Sequence, residues 1–184
     1  MENLLKIIEK LNNNELPDIE SCKRLVQYSL YDSVSGLRNR HAFDLKIKEI
    51  ESSRYFRSVG VVFADVNALK IINDRLGHDI GDDLIRKCGF LLISHFGKEN
   101  CYRISGDEFI VLLDGLPDTN FINEFITNVS NFQKILYKKD IPLMSIGYHY
   151  QEVSFNMETI ICIAENQMRK NKETFYRKYP EFRR

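Results

Sequence analysis

The chain has 184 residues, enough for one domain with a substantial core and no need of disulfides. Its 26 basic and 26 acidic residues cancel, which removes any global electrostatic case for a nucleic-acid or anionic-membrane partner. Four cysteines, Cys22, Cys88, Cys101 and Cys162, contain no C-x-x-C pair and sit among apolar neighbours. They read as reduced core residues of a cytoplasmic protein. Met1 to Lys10 includes Glu2 and Glu9 and has no signal-peptide core, and no apolar run reaches membrane-spanning length.

Leu4, Leu5, Ile8 and Leu11 recur at helical spacing, so Glu2 to Leu11 is predicted as a short amphipathic helix. Asp18 caps a second helix towards Leu30. Residues 1–30 form a helical appendage too short for a sensor domain, and residues 31–184 form the main domain. A polar turn from Tyr31 to Arg40 leads into a helix around Ala42 to Glu51. Ser58 to Ala64 is a continuous apolar run, as expected of a strand buried on both faces, and it ends at Asp65. Asn67 is placed to cap a helix that passes Asn73 and Arg75 and stops at Gly77. Gly81-Asp82-Asp83 opens the next helix, from Leu84 to about His95.

Two hairpin strands follow, around Cys101 to Ile104 and Phe109 to Leu113. Asp118 then caps a long helix whose apolar stripe (Phe121, Ile122, Phe125, Ile126, Val129, Phe132, Leu136) is core-facing. Pro142 to Tyr150 is a further strand, and Met157 to about Arg177 a last helix with a basic end. This order predicts an α+β sandwich: a central, mostly antiparallel sheet with helices on one or both faces.

The chemistry concentrates at Arg103-Ile-Ser-Gly-Asp-Glu-Phe109. Neighbouring side chains of a regular strand point to opposite faces, so Asp107 and Glu108 need a turn before them to share a ligand. Gly106 is the residue that tolerates φ > 0 and permits one. Two readings fit: an ordinary Gly-Asp hairpin turn with a solvated Glu, or a pair of acids converging on a cation. Asp65, delivered by a buried strand, is the third carboxylate for the second reading. An all-oxygen set suits Mg²⁺ or Mn²⁺ beside substrate phosphates. His41, His78, His95 and His149 are scattered and make no zinc set. The helix beginning near Asn67 offers the backbone N–H groups of Ala68 and Leu69 to a phosphate, with Lys70 one turn in. Asn73 and Asp82 flank a glycine-rich reversal. They read either as helix-end caps or as acceptors for the adjacent N1–H and amine donors of guanine.

Four blocks in order make the chain resemble a GGDEF domain, the diguanylate cyclase domain of bacterial cyclic di-GMP signalling. They are Asp32-Ser-Val-Ser-Gly-Leu-Arg-Asn-Arg40, Asp65-Val-Asn-Ala-Leu-Lys-Ile-Ile-Asn-Asp74, Gly77-His-Asp-Ile-Gly-Asp82 and the Arg103 to Phe109 run, with weaker matches at Ser145-Ile-Gly147 and at Ala164, Met168 and Lys172. The resemblance covers about Tyr31 to Arg177. It implies a palm-like, ferredoxin-like nucleotidyl-cyclase fold and the condensation of two GTP molecules, held on the two halves of a homodimer, into cyclic di-GMP and pyrophosphate. It also implies two Mg²⁺ or Mn²⁺ ions per active site, on Asp65, Asp107, Glu108 and the Val66 carbonyl. Asp107 would help deprotonate the attacking hydroxyl, Asn73 and Asp82 would bind guanine, and Ala68, Leu69, Lys70, Gly106 and Lys172 would contact the rest of GTP.

Three positions depart from the family pattern. Ser105 replaces the first glycine of the signature. The R-x-x-D product-inhibition motif, due at Phe96 to Glu99, is absent, which predicts no feedback through that site. Tyr176 stands where the last helix's Arg is expected, with Arg177 as the adjacent substitute. The alternative implied by these departures is a catalytically silent GGDEF domain that binds GTP or a protein partner and regulates something else.

Overall fold

A computed structural model describes residues 4–53, 58–114, 120, 122–127, 143–152 and 156–183. Its centre is β1 (Ser58–Val66), buried at every position. β1 pairs antiparallel with β3 (Glu108–Asp114) on one side and with β4 (Met144–Glu152) on the other. β2 (Cys101–Arg103) pairs with β3, so the strand order is β2-β3-β1-β4.

The nine apolar-rich residues of β1 are buried because helices cover both faces of the sheet. Val62, Ala64 and Val66 point towards α5 (His78–Phe96), where Leu84, Ile85, Cys88 and Leu92 complete one core. Val59, Val61 and Phe63 point the other way, against α3 (Arg40–Ser52) and α6 (Met157–Lys178), through Phe43, Ile50, Ile160, Ala164 and Met168. This is the expected α+β, palm-like arrangement, with both faces occupied. Ahead of it lie α1 (Leu4–Asn12) and α2 (Ile19–Leu30). Asp18 caps α2 by accepting from the Ser21 N–H at 2.8 Å. The Asn39 side chain caps α3 through the Ala42 N–H at 3.0 Å and donates to the Ser29 carbonyl at 2.9 Å, tying α2 to α3. Among the described residues, no helix is long and apolar enough to cross a membrane.

Several local expectations change. β1 runs on through Asp65 and Val66, so Asp65 lies inside the paired strand, not beyond its end. Asn67 does not cap α4 (Leu69–Leu76). That position falls to Ala68, in the left-handed region at φ 59°, while the buried Asn67 accepts from the Ser145 hydroxyl at 2.7 Å. α5 starts at His78 directly after Gly77, whose φ of 91° makes the whole reversal, so Gly81 and Asp82 are helical. Among the described residues, Gly36, Gly77 and Gly97 are the glycines with positive φ. Gly106 is not one of them, and the signature turn closes without a left-handed glycine.

Cys88 and Cys101 are buried as expected, but Cys22 and Cys162 are exposed, because both fall on the outward faces of their helices. Residues 122–127 are helical, with Ile122 buried and Phe125 packed 4.5 Å from the Phe96 ring. Asp118, Phe121, Val129, Phe132, Leu136 and Pro142 lie outside the described residues.

Candidate active site

Antiparallel register sets Asp65 of β1 opposite Glu108 of β3. Directly opposed residues project to the same face, so these two carboxylates share the face covered by α6. Asp107 belongs to the preceding turn, and its carbonyl accepts from the Val66 N–H at 2.9 Å. That bond holds the turn beside the end of β1 and brings the third acid to the same edge. Burial pushes the Asp65 carboxyl up to about 6, and the nearby Asp107 and Glu108 charges push the same way against the hydrogen bond from Lys172. The Lys172 ammonium, from α6, donates to Asp65 at 2.5 Å and stands 3.9 Å from Asp107.

The turn is braced from a distance. Arg103 donates to the Asp32 carboxylate at 2.8 Å and to the Gly106 carbonyl at 2.7 Å. Burial would raise the Asp32 carboxyl, but the Ser35 N–H, Arg103 and the Ser35 hydroxyl together hold it below its usual value. Asp32 and Arg103 are 71 residues apart, and nothing in their spacing announces the pair. Ser105, the departure from the signature, donates its hydroxyl to Glu108 at 2.6 Å. A Cβ on Gly106 would meet nothing within 4 Å, so space beside the acids stays open.

No three His, Cys, Asp or Glu side chains among the described residues are grouped as a ready metal cage. Two of the three expected ligands are instead engaged, Asp65 by Lys172 and Glu108 by Ser105. The donor chemistry nevertheless fits a hard divalent cation. Asp65, Asp107 and Glu108 lie near the same end of the β1–β3 pair; burial is the first cause that raises Asp65, and the Asp107 and Glu108 charges add a repulsion that a cation would relieve.

Of the three acids, Asp107 lines a cavity of about 300 Å³ together with Val66, Ala68, Leu69, Lys70, Ile71, Tyr176, Phe182 and Arg183. The structure thus joins the expected phosphate contacts Ala68, Leu69 and Lys70 to Asp107. Gly106 and Lys172 do not line it, although Lys172 reaches Asp107 from behind. Asn73 and Asp82 lie outside it, further along the α4–α5 pair. Asn73 rests directly on Gly81, the residue before Asp82, and its Oδ1 is buried without a hydrogen-bond partner. An orphaned acceptor costs about 1–3 kcal/mol unless a donor arrives, and a base N–H would be one.

Gly81 therefore has a role that its sequence position did not disclose. A Cβ there would sit 1.7 Å from Asn73 Oδ1. Gly81→Ala gains up to about 1 kcal/mol of helix propensity but must push the Asn73 amide aside. The expected result is a denaturant midpoint equal to or above wild type, with GTP affinity down about tenfold by calorimetry. Unchanged affinity would remove Asn73 from the base pocket. Of the segment where the inhibition motif is due, Phe96 is buried in the α5 core and Lys98–Asn100 form a 3₁₀ turn.

Among the described residues, helices on both faces of a four-stranded antiparallel sheet, with acids at one end of the central β1–β3 pair, define a palm-like α+β domain. The family described as "Diguanylate cyclase, GGDEF domain" matches residues 29–177, and the chain belongs to it. It is 29% identical over 114 residues to the diguanylate cyclase DgcS of Shewanella oneidensis, covering 60% of this chain and 38% of that protein. It is 39% identical over 97 residues to the cyclic di-GMP phosphodiesterase NbdA of Pseudomonas aeruginosa, covering 51% of this chain and 12% of that one. The crystal structure of the coiled coil and GGDEF domain of DgcB from Caulobacter crescentus, in complex with c-di-GMP, shares the fold. Its TM-score is 0.70 at 18% identity, covering 91% of this chain and 89% of that one. The chain spans well under half the length of the two curated relatives, whose names carry opposite activities in cyclic di-GMP metabolism.

Proposed function

We propose that the chain is a diguanylate cyclase, joining two GTP molecules into cyclic di-GMP with release of pyrophosphate. The observation that carries this reading is Asp65 opposed to Glu108 across β1–β3, with Asp107 in the adjoining turn lining a cavity it shares with the start of α4 and Lys70. Asp65, Asp107, Glu108 and the Val66 carbonyl would hold two Mg²⁺ or Mn²⁺ ions. When bound, these supply Lewis-acid polarisation of the phosphate and neutralise leaving-group charge.

The remaining work belongs to the chain. The Ala68 and Leu69 amides with Lys70 orient the phosphates, and Lys172 adds a second ammonium from α6. Asp107 is the carboxylate that takes the attacking 3′-hydroxyl's proton, because its side chain is 40% exposed whereas that of Asp65 is 6% exposed. Asn73 Oδ1 and the Asp82 carboxylate accept from guanine's N1–H and amine. Adenine has no such adjacent donors, and the buried Asn73 Oδ1 would stay unpaired. Each copy of a homodimer brings one GTP, and the two reacting ends meet only across the pair.

A second reading, a silent GGDEF domain that binds GTP or a regulatory protein partner, is favoured by the engagement of two metal-directed acids with Lys172 and Ser105. One assay separates them. Purified protein with GTP and Mg²⁺ or Mn²⁺ is expected to form cyclic di-GMP and pyrophosphate, with specific activity rising with protein concentration and lost in Asp107→Asn. GTP binding without product at any concentration would establish the silent reading instead.

A further inference from the structure

We propose that Arg183 supplies a phosphate-directed cation to the GTP pocket, from the 3₁₀ turn Pro180–Phe182 that follows α6, doing from there what an arginine at position 176 would do. The proposal rests on the GTP-site reading above. Tyr176 lines the cavity but carries no charge, and Arg177, the substitute nearest in sequence, does not line it. Arg183 does.

Its position is built, not incidental. The Phe182 N–H donates to the Tyr179 carbonyl at 3.1 Å and the Arg183 N–H to the Pro180 carbonyl at 3.0 Å, which closes the turn. Phe175, a buried residue of α6, gathers the segment with rings at 5.1 Å (Tyr176), 5.3 Å (Tyr179) and 6.0 Å (Phe182). This aromatic group fixes the segment that lines the cavity, so Tyr176, Phe182 and Arg183 share one cavity with Ala68, Leu69 and Lys70 at the start of α4.

The electrostatics of that cavity are lopsided. Its lining cations are Lys70 and Arg183, and neither side chain has a hydrogen bond or ion pair among the described residues. Its one lining acid, Asp107, lies 3.9 Å from Lys172. Two cations with uncommitted side chains lining one cavity beside the start of α4 fit a polyanion, and the guanidinium fork suits phosphate oxygens in particular. The ligand class is the triphosphate end of a nucleotide. A monophosphate held through its base would not reach Arg183.

The test is calorimetric titration with an α,β-methylene analogue of GTP, and separately with GMP, in Mg²⁺, over a salt series. Arg183→Ala is expected to weaken the analogue about tenfold and GMP less than about twofold, with a shallower salt dependence, while Arg183→Lys recovers part of the loss. Arg177→Ala is expected to bind both as wild type does. Analogue binding unchanged in Arg183→Ala, or lost equally for GMP, would overturn the proposal while leaving the GTP site standing. Failure of the wild-type protein to bind the analogue would overturn both. Arg183 is exposed, so its variants should melt like the parent, which a thermal scan checks.

Discussion

Asp65→Asn is expected to abolish cyclic di-GMP formation, by on the order of a thousandfold or more, and yet to stabilise the metal-free protein. Both effects have one origin. Asp65 sits inside a buried strand, opposite Glu108 and near Asp107, and its carboxyl is raised from 3.8 to about 6. A shift of that size corresponds to about 3 kcal/mol favouring the neutral form over the ionised one in the folded state. An acid whose folded pKa lies above its unfolded value contributes stability that is full below about pH 4 and lost as pH rises through about 6.

In chelator, wild-type stability should therefore fall across that window more than the variant's. The two denaturation curves should meet near about pH 4 and separate by roughly 1–3 kcal/mol at about pH 8. Lys172 loses its partner in the variant but keeps Asp107 at 3.9 Å. A variant less stable than wild type at about pH 8 would mean that the Lys172 ion pair outweighs the burial cost. Retained turnover would remove Asp65 from the catalytic set.

Gly147→Val is expected to be the most damaging single change to the fold, costing at least about 3 kcal/mol. A Cβ at Gly147 would stand 2.1 Å from the Ala164 carbonyl and 2.4 Å from the Met168 N–H. These are backbone atoms of α6 and have no rotamer to yield. The close approach also sets the height of α6 over the sheet. Asn171 donates from α6 to the Ile146 carbonyl at 2.5 Å, and Lys172, the next residue, reaches Asp65. Any variant that still folds should have α6 displaced and Lys172 drawn back. Urea denaturation measures the first effect. A midpoint within about 1 kcal/mol of wild type would show that β4 and α6 separate more easily than their spacing implies.

How much of this was legible beforehand varied with the range of the interaction. Asp18 as a cap and the apolar continuity of β1 are local patterns and agree with the structure within a residue or two, whereas α5 begins at His78, six residues before the expected Leu84. Helix starts next to glycines were read less well. Gly77 alone makes the α4–α5 reversal, whereas Gly81 looks like a second turn residue until the Asn73 side chain is seen lying on it. The same holds for Gly106, whose value is open space and not a positive φ.

The sequence by itself determined the family, the layered α+β class, and the acids, amides and lysines available to a nucleotide. Those depend on residue type and short spacing, which a linear reading captures. Tertiary structure decided which of these groups are engaged and by what. Lys172 on Asp65, Ser105 on Glu108, Arg103 bracing Asp32 and Gly106, and Arg183 in one cavity with Lys70 are all set by strand register and helix packing. Three of these four link elements distant in the chain, and Ser105 depends on a turn geometry that Gly106 alone did not predict. The opposed pair at the centre follows the same rule. Asp65 and Glu108 share a face because β1 and β3 pair in one register, and a slip of one residue would send them to opposite sides of the sheet.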